Sequence, residues 1–427
     1  MKKTLIRLAV PLVILVMTLT IVACAGQEDE PVGDETVLEF LAVADVHLKS
    51  YDSIERDRFR AAIDLSYTYT DNLDAVVVNG DFTDGGHDPQ YAAFGEITDD
   101  MIKDGTALIV NHGNHENGRN ESDSHEYFRE FFGYSIDHVF EVKGYYFISV
   151  GVHHGDMYKE NQAKWMDSKL EMLTASDPLR PVFVLIHYPN FETVFNSTRN
   201  GRTTFDPVLE KYPQAIVISG HSHPPIQDPR IIHQDKFTSF NNAAMTYLYY
   251  DKADFRGPED TISAGHFAIF KVDENHKVTI ERYVMDDSDL MGKTVKLDED
   301  FVVDVSKGTA GFTYHKGWHD DFTRPVFPEN TSVSIDRSGD GWSITFDQAG
   351  GSQIVYYYII EILDESTGET VEVVKVHSSF YMATPPETVT RSLLGDYQMG
   401  VPYSVRITAV NVSNRQSEPL LETITLS

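Results

Sequence analysis

From Val37 onward, short apolar runs alternate with longer stretches whose apolar positions recur every three to four residues. Val37 to Ala44, Ala75 to Asn79, Ala107 to Asn111, Tyr145 to Val150, Val182 to Ile186 and Ala215 to Ser219 are short and rich in β-branched residues, so they read as buried strands. Between them, Ile54 to Tyr69, Pro89 to Lys103, Ser124 to Phe132 and Gln162 to Leu173 read as helices. Ser263 to Val272 and Val278 to Met285 read as a closing hairpin over Asp273-Glu274-Asn275. Strands alternating with helices build βαβ units and a parallel or mixed sheet, so the expected class is α/β (α+β). In such sheets, functional side chains gather just past the carboxyl ends of the strands.

The period changes near Val326. Trp342, Ile344 and Phe346 alternate on one face, Ile354 to Leu363 is a long apolar run, and Tyr403, Val405, Ile407 and Ala409 alternate again. About seven strands in roughly 100 residues is the arithmetic of an all-β sandwich. The run from Tyr403 to Asn411, followed by Ser417-Glu418-Pro419, resembles the sixth strand and exit of a fibronectin type III domain, with Tyr403 in the place of that family's corner tyrosine. Residues 291–325 connect the two parts, and the aromatic stretch from Gly311 to Trp318 is expected to pack against something. The expected division is 37–290, 291–325 and 326–427.

The N-terminus differs from both. Lys2, Lys3 and Arg7 precede an apolar segment from Leu8 to Val22 that Pro11 interrupts, short for a membrane span and suited to a signal peptide. It ends in Ile21-Val22-Ala23-Cys24, which resembles a bacterial lipobox; Cys24 is the sole cysteine of the chain. The expectation is a signal peptide over 1–23, lipidation of Cys24 and a polar, acidic tether over 24–36, placing the protein outside the cytoplasm and anchored to the membrane. A single cysteine excludes an intramolecular disulfide framework. With 66 acidic against 35 basic residues the net charge is −31, a field that repels polyanions, so no nucleic-acid partner is expected.

Five short motifs follow predicted strands: Asp45-Val46-His47, Gly80-Asp81-Phe82-Thr83-Asp84, Gly113-Asn114-His115-Glu116, His187, and Gly220-His221-Ser222-His223. Carboxylate, imidazole and amide oxygen together suit first-row divalent metals. Adjacent glycines permit tight turns and close backbone approach.

In order and spacing these motifs resemble the calcineurin-like metallophosphoesterase family over residues 37–290. The resemblance implies a sandwich of central mixed sheets flanked by helices, and a pair of divalent ions (Mn, Fe, Zn or Ni). Asp45, His47, Asp81 and His223 would hold the first ion, and Asp81, Asn114, His187 and His221 the second, with Asp81 bridging. It further implies hydrolysis of a small phosphate monoester or diester by a hydroxide shared between the ions. His115 would serve the leaving group as general acid or stabiliser, and the Asp84 carboxylate is expected to hydrogen-bond His115. Glu116 reads as structural. Purple acid phosphatases carry a tyrosine at the position of Asp84, a departure that sets this chain apart from them, and the C-terminal substrate domain of secreted 5′-nucleotidases is replaced here by the β-sandwich.

His87, His153, His154 and Tyr188 are further candidates for the pocket wall, Arg119, Arg199 and Arg202 for phosphate contacts, and His112 for a place behind the ligands. The sandwich carries no cluster of titratable residues and reads as a spacer or a module for cell-envelope material. Since every proposed ligand precedes Pro225, a chain ending near Pro325 is expected to retain the site. Two other functions fit the same scaffold: a binding protein that has lost catalysis, against which all seven ligand positions are filled, and a metal-dependent nuclease, against which the acidic charge weighs.

Lipidation is checked by mass. The N-terminal peptide of the mature protein should begin at Cys24 and carry acyl chains, and Cys24→Ser should abolish them; an unmodified Cys24 on a fully soluble protein would refute the anchor.

Overall fold

The computed structural model describes residues 35–426, apart from 119–120, 154, 156, 251–261, 321–322, 340 and 352–353. The signal segment, Cys24, most of the tether, Arg119 and His154 lie outside the described residues. In chain order, β1 (Thr36–Val43), β2 (Ala75–Asn79) and β3 (Ala107–Asn111) are joined through α1 (Ile54–Tyr69) and α2 (Asp88–Met101), and α3 (Glu121–Phe132) follows. Next come β4 (His138–Val142), β5 (Tyr145–Val150), α4 (Glu160–Thr174), β6 (Val182–Ile186), β7 (Ala215–Ser219), β8 (Ile232–Gln234) and β9 (Thr238–Asn241). A short pair, β10 (Tyr247–Leu248) and β11 (Ile262–Ser263), precedes β12 (His266–Asp273), β13 (Val278–Val284), β14 (Val295–Lys296) and β15 (Phe301–Val303).

These strands form two mixed sheets. One has the order β14-β13-β12-β1-β2-β3, with β15 also on β13, and the other the order β4-β5-β6-β7-β9-β8. One apolar core, including Phe40, Phe270, Phe147, Phe183 and Phe240, fills the space between the sheets. Phe40 stacks on Phe270 and meets Phe147 and Phe183 edge-on, with centroids 4.7–5.1 Å apart. The outer face of the first sheet is covered by α1, α2 and α3 through Phe59, Phe94 and Phe128. That of the second is covered by α4 through Met166 and Leu170.

β1, β2 and β3 are mutually parallel, as are β5, β6, β7 and β9. Two fully buried asparagines hold the sheets together at their carboxyl ends. The Asn79 amide donates to the carbonyls of Ile186 and Ile218 (3.2 and 2.8 Å). The Asn111 amide donates to the carbonyls of Val150 and Leu185 and to the Ser149 hydroxyl. Each asparagine ends an apolar strand of the first sheet and reaches across to the second, which fixes the distance between the two sets of site loops.

The C-terminal strands form two antiparallel sheets. One has three strands, β16 (Val333–Ser338), β17 (Gly341–Asp347) and β20 (Thr388–Leu393). The other has four: β18 (Val355–Asp364), β19 (Thr370–His377), β21 (Pro402–Asn411) and β22 (Leu420–Thr425). Trp342, Ile344 and Phe346 from one and Tyr358, Ile360, Val405 and Ile407 from the other share a core. The Tyr403 hydroxyl accepts from the Gln398 amide, 2.8 Å away. Tyr314 and Trp318 of the connecting segment pack on Phe301, so the aromatic stretch is anchored on the catalytic core.

Residues from Thr36 onward cluster as one unit, so the sandwich is in contact with the two-sheet core. Tyr250, from the loop after β10, is fully buried among Tyr356, Phe380 and Val412 of the sandwich.

Replacing Asn79 or Asn111 with leucine leaves buried carbonyls on the second sheet without donors. Each substitution should cost about 1–3 kcal/mol in denaturant unfolding; an unchanged midpoint would show that the asparagines are not staples.

Candidate metal centre

Every loop that carries a predicted ligand leaves the same edge of the two sheets. Asp45 and His47 follow β1, Asp81 follows β2, Asn114 follows β3, His187 follows β6, and His221 and His223 follow β7. The sheet ladder continues one step beyond β1 and β2, where the amides of Asp45 and His47 donate to the carbonyls of Gly80 and Asp81 (3.1 and 2.9 Å). That register brings the Asp45 and Asp81 carboxylates together.

The seven predicted ligands converge. Asp45 Oδ1 lies 2.9 Å from His223 Nε2, 3.8 Å from His187 Nε2 and 3.9 Å from His47 Nε2. Asp81 Oδ2 lies 3.0 Å from His187 Nε2 and 3.9 Å from both His47 Nε2 and His115 Nε2. Asn114 Oδ1 is 3.1 Å from His187 Nε2. Donor atoms of Asp45, His47 and His223 fall within one ion-sized group, those of Asp81, His187 and His221 within another, and those of His47, Asp81 and His115 within a third that overlaps both.

The backbone is strained to achieve this. Asp45, His47, Asp81, His221 and His223 all have φ between 44° and 64°, a left-handed conformation that costs side-chain-bearing residues roughly 1–3 kcal/mol each. Close packing demands glycine beside them: a Cβ on Gly113 would sit 2.1 Å from Asp81 Oδ1, and one on Gly220 2.4 Å from Asp45 Oδ2.

Contacts behind the ligands set their tautomers. His187 Nδ1 donates to the Asn79 carbonyl (3.2 Å) and His223 Nδ1 to the Tyr247 carbonyl (2.8 Å). A carbonyl can only accept, so each Nδ1 carries a proton and each Nε2 is the nitrogen left facing inward, where a cation would take the place of its proton. Glu116, fully buried, accepts from the amides of Asp81, Thr83 and Gly113 and from the Thr83 hydroxyl, fixing the bridging loop to the next one. Its pKa rises to about 6 because of burial and the neighbouring Asp81. Buried Asn241 donates to the Gly220 carbonyl and the Ser222 hydroxyl and steadies the turn before His223.

The electrostatics fit cations. Burial opposes protonation of His47 and His187, yet the carboxylates override it: Asp45, Asp84 and Asp81 raise His47 to about 10, and Asp81 and Asp45 raise His187 to about 9. Asp45 and Asp81 stay ionised despite burial because imidazoles face them, chiefly His223 and His187 respectively. Both ring nitrogens of His47 are buried without a hydrogen-bond partner. Ionised carboxylates, an imidazole with unused nitrogens and an amide oxygen, all pointing at one another, form a donor set that matches two divalent ions.

One predicted contact is corrected. His115 Nδ1 donates to the main-chain carbonyl of Asp84 at 2.8 Å, not to its carboxylate. The Asp84 carboxylate instead meets Lys49 Nζ at 2.6 Å and lies 3.6 Å from His47 Nδ1. The Asp84 side chain thus points to the loop after β1, which carries both of these groups. Asp84 is therefore a neighbour of ligand His47, and its pKa is held down by His47 and, against partial burial, by Lys49. His115 keeps Nε2 facing the cleft, with 34 % of its side chain exposed.

Among the weaker candidates, Tyr188 is buried with its ring 4.0 Å from that of His221, and the Arg202 guanidinium lies 4.1 Å above Tyr188. Tyr188 is therefore packed behind His221, with Arg202 on its other side. His112 is buried behind the site with Nε2 3.0 Å from Ser124 Oγ. His153 belongs to a stack with His125, and His87 and Arg199 are exposed. Sequence reasoning missed Asn79 and Asn111, whose signal was a polar residue closing an apolar strand, and it missed Asn241, in a polar strand, and Tyr247, whose ring lies 4.4 Å from that of His223.

Residues 38–225 match the family described as Calcineurin-like phosphoesterase. Over these residues the chain is similar to that family, and the match supports a metal-dependent phosphoester hydrolase. Among curated proteins, a probable glycerophosphodiester phosphodiesterase GpdQ of Arcobacter nitrofigilis is 24% identical over 196 residues, 42% of this chain and 70% of that one. Among solved structures, a purple acid phosphatase from yellow lupin seeds aligns at 12% identity and a TM-score of 0.42, covering 64% of this chain and 54% of that one. The fn3 domain of human collagen alpha-1(XX) aligns at 19% identity and a TM-score of 0.18, covering 25% of this chain and 88% of that domain.

Asp81 Oδ2 lies against both His187 and His47, so Asp81→Asn should lower bound metal in elemental analysis and reduce turnover by orders of magnitude. A variant that keeps wild-type metal content and turnover would show that Asp81 does not bridge.

Proposed function

We propose that the protein hydrolyses a small phosphodiester or phosphomonoester at a dinuclear centre held by Asp45, His47, Asp81 and His223 on one side and Asp81, Asn114, His187 and His221 on the other. The observation that carries this reading is the convergence of these buried donors with inward-facing nitrogens fixed from behind. Bound there, divalent ions would supply positive charge to the phosphoryl oxygens and lower the pKa of a coordinated water toward neutrality. The chain's own residues do the rest. Asn79 and Asn111 hold the two ligand sets at a fixed distance. Glu116 keeps the bridging carboxylate in place. His115, outside either ligand set, presents Nε2 to the cleft with its ring fixed by the Asp84 carbonyl, a position suited to donating a proton to the departing oxygen. Tyr247, half-buried beside His223, gives the cleft an aromatic wall suited to a small organic alcohol. The curated relative's name supports a diester as the first substrate to test.

The location proposed is outside the cytoplasmic membrane, tethered through Cys24. It is supported by the basic and apolar leader and the single cysteine at its end. Among the described residues no helix is long and apolar enough to cross a membrane. For the sandwich, a fibronectin type III identity is supported by the strand count and the Tyr403 contact.

Substituting His115 separates chemistry from metal binding. His115→Asn should keep near-normal metal content and lose about 10²–10⁴-fold in rate on alkyl esters, which need a proton at the leaving oxygen. On nitrophenyl esters, whose leaving group departs unprotonated, the loss should be much smaller. Equal losses on both would exclude the acid role, and lost metal would make His115 a ligand.

A further inference from the structure

His223 is held by one loop. Its Nδ1 donates to the Tyr247 carbonyl, and its own carbonyl accepts from the Tyr249 amide, 2.8 Å away. The rings of Tyr247 and Tyr249 lie 4.4 and 5.4 Å from the imidazole. The first half of this loop is fixed from the catalytic core: buried Arg58 donates to the carbonyls of Met245 and Thr246, and the Met245 amide donates to the Ala44 carbonyl. β10 also pairs with β11.

The second half runs into the C-terminal sandwich. Tyr250 is fully buried, and its hydroxyl donates to the Ser378 carbonyl at 3.0 Å. Its ring stacks on His377 at 4.7 Å and meets Phe380, Tyr356 and Tyr381 at 5.3–5.7 Å. Tyr381 packs against Ala244, Leu248 and Ala264. A second tie lies beside the first. His266 Nδ1 accepts from the Ile226 amide and Nε2 donates to the Tyr381 carbonyl, both near 3.0 Å. Both ring nitrogens of this buried histidine are thus used, one joining the strand core to the stretch after His223 and the other joining it to the sandwich.

We infer that the C-terminal sandwich is a positioning element of the first metal site: its 377–381 turn grips Tyr250 and Leu248 and, through the Tyr247 carbonyl and Tyr249 amide, sets the orientation of His223. This rests on reading His223 as a ligand, and it bears on whether a chain ending near Pro325 keeps its full site. Tyr250, Phe380 and Tyr381 act through His223 and not on substrate. The arrangement makes one of two otherwise similar ion sites depend on a part of the chain more than 120 residues further on, while the contacts described above for Asn114 and His187 are made within the two-sheet core.

The test uses the full chain with Phe380→Ala, the milder Phe380→Leu, and Tyr381→Ala, all on the sandwich side. Ile344→Ala, in the sandwich core away from Tyr250, is the control for lost sandwich stability. Hydrogen exchange on metal-free protein reads the loop directly. The Tyr249 amide should exchange about tenfold faster or more in the Phe380 and Tyr381 variants, while the Gly220 amide, which donates to the His187 carbonyl, should not change. Titration with Mn²⁺ should show one of two ions bound about 10–100-fold more weakly, the usual effect of losing a group behind a ligand, and the other unaffected. Ile344→Ala should leave both affinities as in wild type. Unchanged Tyr249 exchange in the turn variants, or the same change in Ile344→Ala, would overturn the inference. Faster exchange with no change in either ion's affinity would leave the clamp standing and remove His223 from the ligand set.

Discussion

Two carboxylates, Asp45 and Asp81, are wholly buried where the two sheets of the catalytic domain meet, and the rest of the site follows from keeping them there. A buried, unpaired carboxylate is costly enough that it would normally take a proton. Here four imidazoles and an amide oxygen surround the pair, and the charged form persists. The sheets form a dry frame in which cations are the natural complement to those charges.

Holding like charges together requires stiffness. The Asn79 and Asn111 amides cross between the sheets, Glu116 gathers the amides of two loops, and glycines at 113 and 220 allow contacts that any side chain would block. Five of the ligands sit in left-handed backbone. That strain persists only because the surrounding bonds over-determine it, which is the usual condition of a preorganised site. The sandwich joins this frame through Tyr250 and Tyr381, so the C-terminal strands bear on the chemistry more closely than their lack of titratable clusters suggests.

Much of this was legible in the sequence. Ala75 to Asn79, Ala107 to Asn111, Val182 to Ile186 and Ala215 to Ser219 are strands with the predicted bounds, because short, fully apolar runs have one solution in a two-layer core. The seven ligands converge because parallel strands deliver their ends to one edge. What was not legible depends on three-dimensional register. β4 and β8 are edge strands with mixed polarity, so periodicity gave no signal for them. The side chain of Asp84 turns to Lys49 and His47, partners that lie more than thirty residues earlier in the chain and that no spacing rule reveals. The burial of Tyr250 was invisible for a similar reason: its partners lie beyond residue 355 and belong to a unit that pattern alone separates from the catalytic core.

The central claim is that two cations, bridged by Asp81, neutralise this buried carboxylate pair. Anomalous diffraction from crystals of the metal-loaded protein, recorded at the absorption edge of the metal supplied, tests it most directly. The account predicts two peaks about 3.5–4 Å apart, one against Asp45, His47 and His223, the other against Asn114, His187 and His221, with Asp81 between them. A single peak, or peaks away from Asp81, would contradict it.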